Sequence, residues 1–498
     1  MKYAFVLLLL LLTGCAQPPA FDIIEATVDE VHQAYQNGSL TAVELTQMYL
    51  DRIEQYDDSI NAFILLNPLA LSEAAALDEE YARTGVLRPL HGIPIVVKDN
   101  YDTAGLQTTA GSAALEGLVP PDDAYQVRKL KEAGAIVLGK TNMAEWAFSP
   151  YETVSSIGGT TRNPYDLSRV PAGSSGGTAT AVAANLGMIG LGTDTGNSIR
   201  GPSGHNALVG IRSTMGLTSR DGIVPAYLRN DIGGPLARTV TDAVRVLDII
   251  AGYDSADPVT AKSDGNMPAS YQESLVPGGL KGARIGVFRW YMRPDSTDAE
   301  VLRTMEEAIS QMQEAGAILI DPFEMPTLDF RESIWCEVFN HDVSIYFASR
   351  GPDFPYKTLA DIIATGKYHP SIKSGLEYAA NWKEAPCPDV FTHQPNIDFR
   401  NTILAEMENH KLDAIVYPTW SYPARKIGDM DSPSGDNSQY LSPQSGFPAI
   451  QVPIGFTQNG LPIGMTFVGR LFSEPTLIRL AFGYESIAPK RLPPPQFN

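Results

Sequence analysis

Apolar residues recur three and four positions apart after Thr41, so that Leu45, Tyr49 and Ile53 fall on one helical face. Thr41-Ala-Val-Glu44 has the form of a capping box, in which a Thr side chain and a Glu three residues on satisfy each other's backbone N–H groups. A helix starting there is predicted. Further on the pattern changes to short unbroken apolar runs, Ile93–Val97 and Ala135–Leu138, with charged helix-forming residues from Asp122 to Glu132 between them. Strand, helix, strand is the predicted order. More runs of this kind, closed by turn residues, lie at Met188–Thr193, Arg284–Phe288, Ala317–Ile320, Asp413–Tyr417, Ala449–Ile454 and Gly464–Val468. Interspersed with helical stretches, they predict an α/β fold: a central mixed β-sheet covered on both faces by helices. The segment from about Phe339 to Arg400 is helix-prone with scattered prolines and is expected to pack as an insertion over one end of the sheet. No internal repeat is visible, and no Gly/Ser-rich linker divides the chain.

Composition narrows the partners. The 498 residues include 37 basic and 57 acidic side chains, a formal charge of −20. Nucleic acid is excluded as an expected partner, because binding it needs Lys and Arg clustered along the phosphates, and no such run occurs. The first fifteen residues carry one early lysine, a short leucine-rich core and then Thr13-Gly14-Cys15. The apolar core is too short to span a bilayer and reads as an export signal. Leu12-Thr13-Gly14-Cys15 resembles the bacterial lipobox, which implies cleavage before Cys15 and lipidation of its thiol. The expected organisation is a signal peptide over 1–14, a lipidated tether over 15–21 and one folded domain over 22–498. Membrane contact is expected through the N-terminal lipid alone, with Ala16 favouring the outer membrane of the cell envelope. Cys336 and Cys387 remain, free to pair or to stay as thiols.

Two motifs match familiar patterns without their context. Gly134-Ala-Ile-Val-Leu-Gly139-Lys140-Thr141 fits the phosphate-loop spacing, but the residues between its glycines are strand-like where a flexible loop is needed. Gly173-Ser174-Ser175-Gly176-Gly177 fits the nucleophile elbow of α/β-hydrolases, with Ser175 as nucleophile. The elbow needs a strand running straight into the turn, and Asp166–Ala172 is loop-like and contains a proline. An esterase using Ser175 is therefore the alternative mechanism.

The chemistry concentrates between Pro171 and Arg200. Two Gly/Ser turns, Gly173–Gly177 and Gly192–Ser198, flank an Ala-rich helix and the strand after it. Small side chains allow close backbone approach, and such turns leave N–H groups and hydroxyls free to polarise a carbonyl. The segment resembles the amidase signature, including the twenty-four-residue separation of its two serines, here Ser174 and Ser198. His91-Gly-Ile-Pro-Ile-Val-Val-Lys98-Asp99-Asn100 is similar to that family's lysine-bearing strand. Thr109–Ser112, Lys140–Glu145, Thr161–Pro164, Ser219–Pro225, Ser445–Pro453 and Gly460–Gly464 continue the pattern, from about residue 25 to 485.

The resemblance implies one large domain and a serine amidase with a Ser–cisSer–Lys triad: Ser198 as nucleophile, Ser174 as bridging serine with a cis peptide bond, and Lys98 as base. A lysine can take a proton only when neutral, so Lys98 should be desolvated. By the same carry-over the backbone N–H groups of Thr195, Gly196, Asn197 and Ser198 form the oxyanion hole, and Ser175 supports the triad. Asn197 stands where the family has glycine; Asn tolerates positive φ, so the turn can survive. Asp194 and Arg200 are placed to brace that turn by an ion pair. The expected substrate is a small-molecule or peptide amide; no metal or cofactor is implied. A catalytically silent, lipid-anchored binding protein on the same fold is the other reading, favoured by Asn197 alone.

Overall fold

The computed structural model of the chain describes residues 21–325, 334–382 and 386–498. The capped helix forms as expected over Ala42–Ile60: Thr41 Oγ1 accepts from Glu44 N at 3.1 Å, while Thr41 N donates to Glu44 Oε2 at 2.9 Å. Leu45, Tyr49 and Ile53 are buried along its inner face. The charged stretch near residue 125 is a helix over Tyr125–Glu132, starting three residues later than predicted, after the loop that carries Asp122 and Asp123.

Among the described residues eleven strands make one mixed sheet flanked by helices, and the chain is a single large domain. In spatial order they are Phe63–Leu66, Ile136–Thr141, Pro94–Lys98, Ile189–Asp194, Ile232–Ala237, Val209–Arg212, Ala449–Phe456, Pro462–Val468, Ala414–Pro418, Arg284–Phe288 and Ile318–Phe323. Pro94–Lys98 runs parallel to both of its neighbours, and Arg284–Phe288 does the same near the far edge. The pairs between these two blocks are antiparallel. Pro94–Lys98, Ile136–Thr141 and Ile189–Asp194 are buried at every position, which is why they read as continuous apolar runs rather than alternating ones.

Three of these eleven strands fall outside the predicted set, as does the separate pair Val154–Ser155 and Gly159–Thr160. Ile232–Ala237 carries Gly233 and Gly234, which interrupt any apolar run. In the sheet a Cβ at 233 would press into Tyr101 and Gln126, and one at 234 into the carbonyl of Ile211, so close neighbours require the glycines. Phe63–Leu66 and Val209–Arg212 have only four residues each, too few to show a period.

The insertion is helical, with Phe339–Ser349, Leu359–Thr365, Lys373–Asn381 and Gln394–Asn409. Cys336 and Cys387 are joined by a disulfide at its base. The phosphate-loop look-alike is strand from Ile136 onward. Its Lys140 is buried, donating to the carbonyls of Tyr101 and Gln107 and lying 3.4 Å from Asp99. Residues 1–20, with Cys15 and nearly all of the expected tether, lie outside the described residues. Phe21, the last residue of that expected tether, packs against the core.

Candidate active site

Strands Pro94–Lys98 and Ile189–Asp194 are parallel, with Val97 opposite Leu191, so their C-terminal ends bring Lys98 beside Thr193. Lys98 is fully buried, and its Nζ donates to Ser174 Oγ at 2.7 Å and to Thr193 Oγ1 at 2.7 Å. Among the described residues no carboxylate forms an ion pair with it. Burial therefore dominates and pushes the lysine down to about 7, against the milder opposing pull of Asp231 and Asp194. Asn100 Nδ2 also donates to Thr193 Oγ1, at 3.1 Å, and fixes that hydroxyl between two donors.

Ser174 reaches the lysine from a loop whose backbone is tightly enclosed. The Gly173–Ser174 peptide bond is cis. Gly173 N donates to Pro150 O at 2.9 Å and Ser174 O accepts from Ala144 N at 3.0 Å. A Cβ on Gly173 would run into the carbonyls of Ser149 and Glu152, so only glycine fits. Ser175, at the mouth of helix Gly176–Ala183, donates to Thr193 O at 3.2 Å and accepts from Thr193 N at 3.3 Å. Its hydroxyl thus ties the two Gly/Ser turns together. No strand runs into Ser175, so the geometry of a nucleophile elbow is not present.

The second turn, Thr195–Ser198, leaves the end of strand Ile189–Asp194 and enters the short helix Arg200–His205. Asp194 sits under it: its carboxylate accepts from the backbone N of Ile199 and Arg200 and from Arg200 Nε at 3.0 Å. The predicted Asp194–Arg200 pair is therefore present, and Arg212 joins it at 3.0 Å. All three side chains are fully buried. Burial alone would raise the Asp194 carboxyl, but the two guanidinium groups overcome it and hold it at about 2. Arg200 Nη2 also donates to Gly196 O at 2.6 Å, and Arg212 Nη1 to Asp194 O.

With the carbonyl side of the turn held in this way, the N–H groups of Thr195, Gly196, Asn197 and Ser198 engage no partner among the described residues. Thr195 Oγ1 donates to Asp231 Oδ1 at 2.6 Å, and Asn197 Nδ2 to Asp436 Oδ2 at 2.8 Å. Ser198 is 4% exposed, and its hydroxyl makes no hydrogen bond among the described residues. The structure thus brings Lys98, Ser174, Ser175 and Thr193 into direct contact and sets Ser198 on the adjoining turn. A depressed amine against a hydroxyl, next to a turn with free N–H donors, is suited to proton removal and to stabilising an oxyanion. Among the described residues no group of three His, Cys, Asp or Glu side chains stands where it could hold a metal ion.

Sequence reasoning missed Thr193, Asn100, Arg212, Asp231, Asp436 and Gln439. Thr193 had a signal: it closes the predicted run Met188–Thr193, just before the turn that carries Ser198. Asp231, Asp436 and Gln439 come from loops whose place depends on the sheet order.

The sequence profile of the family described as Amidase matches residues 44–478. A "probable amidase" of Arabidopsis thaliana is 35% identical, over 95% of this chain and 92% of that protein. A glutamyl-tRNA(Gln) amidotransferase component of Symbiobacterium thermophilum is 33% identical, over 92% of this chain and 96% of that protein. Among solved structures, the native peptide amidase of Stenotrophomonas maltophilia superimposes with a TM-score of 0.82 at 37% identity, covering 94% of this chain and 98% of that one.

Proposed function

The chain belongs to the amidase family and is a hydrolase of carboxamide C–N bonds, and from that premise we propose that Ser198, Ser174 and Lys98 carry the reaction. The observation that carries this reading is the 2.7 Å contact between a buried, charge-unpaired Lys98 Nζ and Ser174 Oγ. In its neutral form the amine offers a lone pair to the Ser174 hydroxyl, which in turn takes the proton of Ser198. The Ser198 oxygen attacks the amide carbonyl, and the N–H groups of residues 195–198 receive the developing oxyanion. The tetrahedral intermediate collapses as the leaving nitrogen takes the proton back through Ser174 and Lys98. Water, deprotonated along the same route, then hydrolyses the acyl-enzyme.

The substrate class we propose is the primary or C-terminal amide of a small molecule or short peptide. The likeness to a peptide amidase over 98% of its chain supports it. Transamidation of aminoacyl-tRNA does not suit a chain of charge −20. We also propose export and lipid anchoring at Cys15. The apolar N-terminal run ending in Leu12-Thr13-Gly14-Cys15 supports this, as does the Cys336–Cys387 disulfide, a bond favoured in oxidising compartments.

The test is ammonia or amine release from a panel of primary amides, aryl amides and C-terminally amidated peptides, with the body from about Ala20 onward beside its Ser198→Ala variant. Release that vanishes in the variant supports the assignment. Equal release by both proteins overturns it.

A further inference from the structure

Asn197 is the one place where the oxyanion turn departs from the family pattern, and its side chain is not idle. Its Nδ2 donates to Asp436 Oδ2 at 2.8 Å, and Gln439 Nε2 donates to the same oxygen at 2.6 Å. The other carboxylate oxygen accepts from Ser438 N at 3.0 Å, so Asp436 also closes its own loop. Gln439 then lies flat against the turn, where a Cβ on Gly196 would run into its Oε1. The loop is itself fixed from behind: Asn437 Nδ2 donates to Pro418 O at 2.8 Å, and Arg200 Nη2 bridges Gly196 O to Ser438 O, the latter at 3.1 Å.

We infer that Asn197, Asp436 and Gln439 form a positioning clamp that holds the oxyanion turn in its donor geometry, so that the loop 436–439 contributes to turnover without touching the reacting atoms. The inference rests on the proposed role of residues 195–198. The Asn197 amide ties the turn to a second, anchored loop, a tether that a glycine at 197 would not supply. Two donors converging on one carboxylate oxygen make Asp436 the keystone, since hydrogen bonds to a carboxylate are shorter and stronger than those between neutral groups. The clamp acts where charge develops in the transition state, and a small displacement of the N–H groups there costs rate more than substrate affinity.

The experiment is steady-state kinetics of ammonia release, on an amide that the wild type turns over, for Asp436→Ala, Asn197→Gly, their double variant and Asp436→Asn, each with a thermal midpoint. The clamp predicts that kcat falls by about 10- to 100-fold in Asp436→Ala with KM changed less than about threefold, short of the 100- to 1000-fold typical of removing an oxyanion donor outright. Asn197→Gly should lose a similar factor, and the double variant no more than the worse single one, because one connection is cut twice. Asp436→Asn keeps an acceptor oxygen and should recover most of the rate. Variants with lowered thermal midpoints but wild-type kcat would overturn the inference and leave a structural contact. Additive losses in the double variant would overturn it too, since they would show two independent effects. Failure of the underlying reading is recognised separately, as Ser198→Ala retaining activity.

Discussion

The Thr193 hydroxyl accepts a 2.7 Å hydrogen bond from Lys98 Nζ, and Thr193 N and O are both held by the Ser175 hydroxyl. One residue near the end of a strand therefore links the buried amine to the loop that presents Ser174. Replacing it with valine keeps the shape and removes the acceptor. We expect Thr193→Val to lower kcat/KM by roughly tenfold, less than the hundredfold or more lost with an acid–base group itself, while Lys98→Ala loses on the order of a thousandfold. Rates of ammonia release on one amide check both.

The pH profile should follow the lysine. Burial brings Lys98 down to about 7, and only its neutral form can accept a proton. The expected kcat/KM therefore rises with pH through about 7 and levels above it. A flat profile from pH 5.5 to 8.5 on a substrate without ionisable groups would contradict this.

Stability carries the same signature with its own sign. Because the folded pKa of Lys98 lies below the ordinary 10.5, the unfolded chain holds a proton between about 7 and 10.5 that the folded chain has released. The contribution of this site is then least favourable below pH 7 and improves as pH rises through that window. Lys98→Met should be more stable than wild type at pH 6, with the advantage shrinking towards pH 10, as read from urea midpoints at each pH.

Asp194 gives the opposite case. Its carboxyl is held at about 2, below the ordinary 3.8, so its contribution is full above about pH 4 and is lost as pH falls through 2. At neutral pH, Asp194→Asn leaves Arg200 and Arg212 buried without their counter-charge. The expected loss is about 3–5 kcal/mol, seen as a lower denaturant midpoint together with loss of activity.

How much of this could be read in advance depends on whether neighbours in sequence or neighbours in space decide it. The Thr41 capping box and the buried runs at Pro94–Lys98 and Ile189–Asp194 are local patterns, and they stand within a residue of their predicted limits. The meeting of Lys98 with Ser174, 76 positions away, could be anticipated only through the resemblance to the amidase signature, because no local pattern links the two segments. Arg212 was not legible, because its role comes from strand pairing that places it on Asp194, and nothing in Val-Gly-Ile-Arg212 marks that partner. Asp436 and Gln439 are more than 230 positions from Asn197. Their convergence exists only once the antiparallel strands at the centre of the sheet set the return path. Cysteine spacing left the Cys336–Cys387 pairing open, since a separation of 51 says nothing about the meeting of two loops.

The insertion offers a further check. Cys336 N donates to Tyr227 OH, Tyr227 N donates to Asp231 Oδ2 at 2.9 Å, and Asp231 accepts from Thr195. Removing the disulfide with Cys336→Ser and Cys387→Ser should cost about 2–4 kcal/mol of stability and lower kcat more than it changes KM, because the loop that holds Thr195 loses its outer anchor. Denaturant midpoints and kcat for the double variant measure the two effects.

The central claim, that Ser198 becomes acylated, is tested most directly by quenching the enzyme during turnover of an activated ester of an acid whose amide it hydrolyses. Intact mass and peptide mapping then locate the acyl group. One acyl group is expected on the peptide that contains Ser198, absent in Ser198→Ala and formed more slowly in Lys98→Ala. An acyl group on Ser175, or an unchanged adduct in Ser198→Ala, would contradict it.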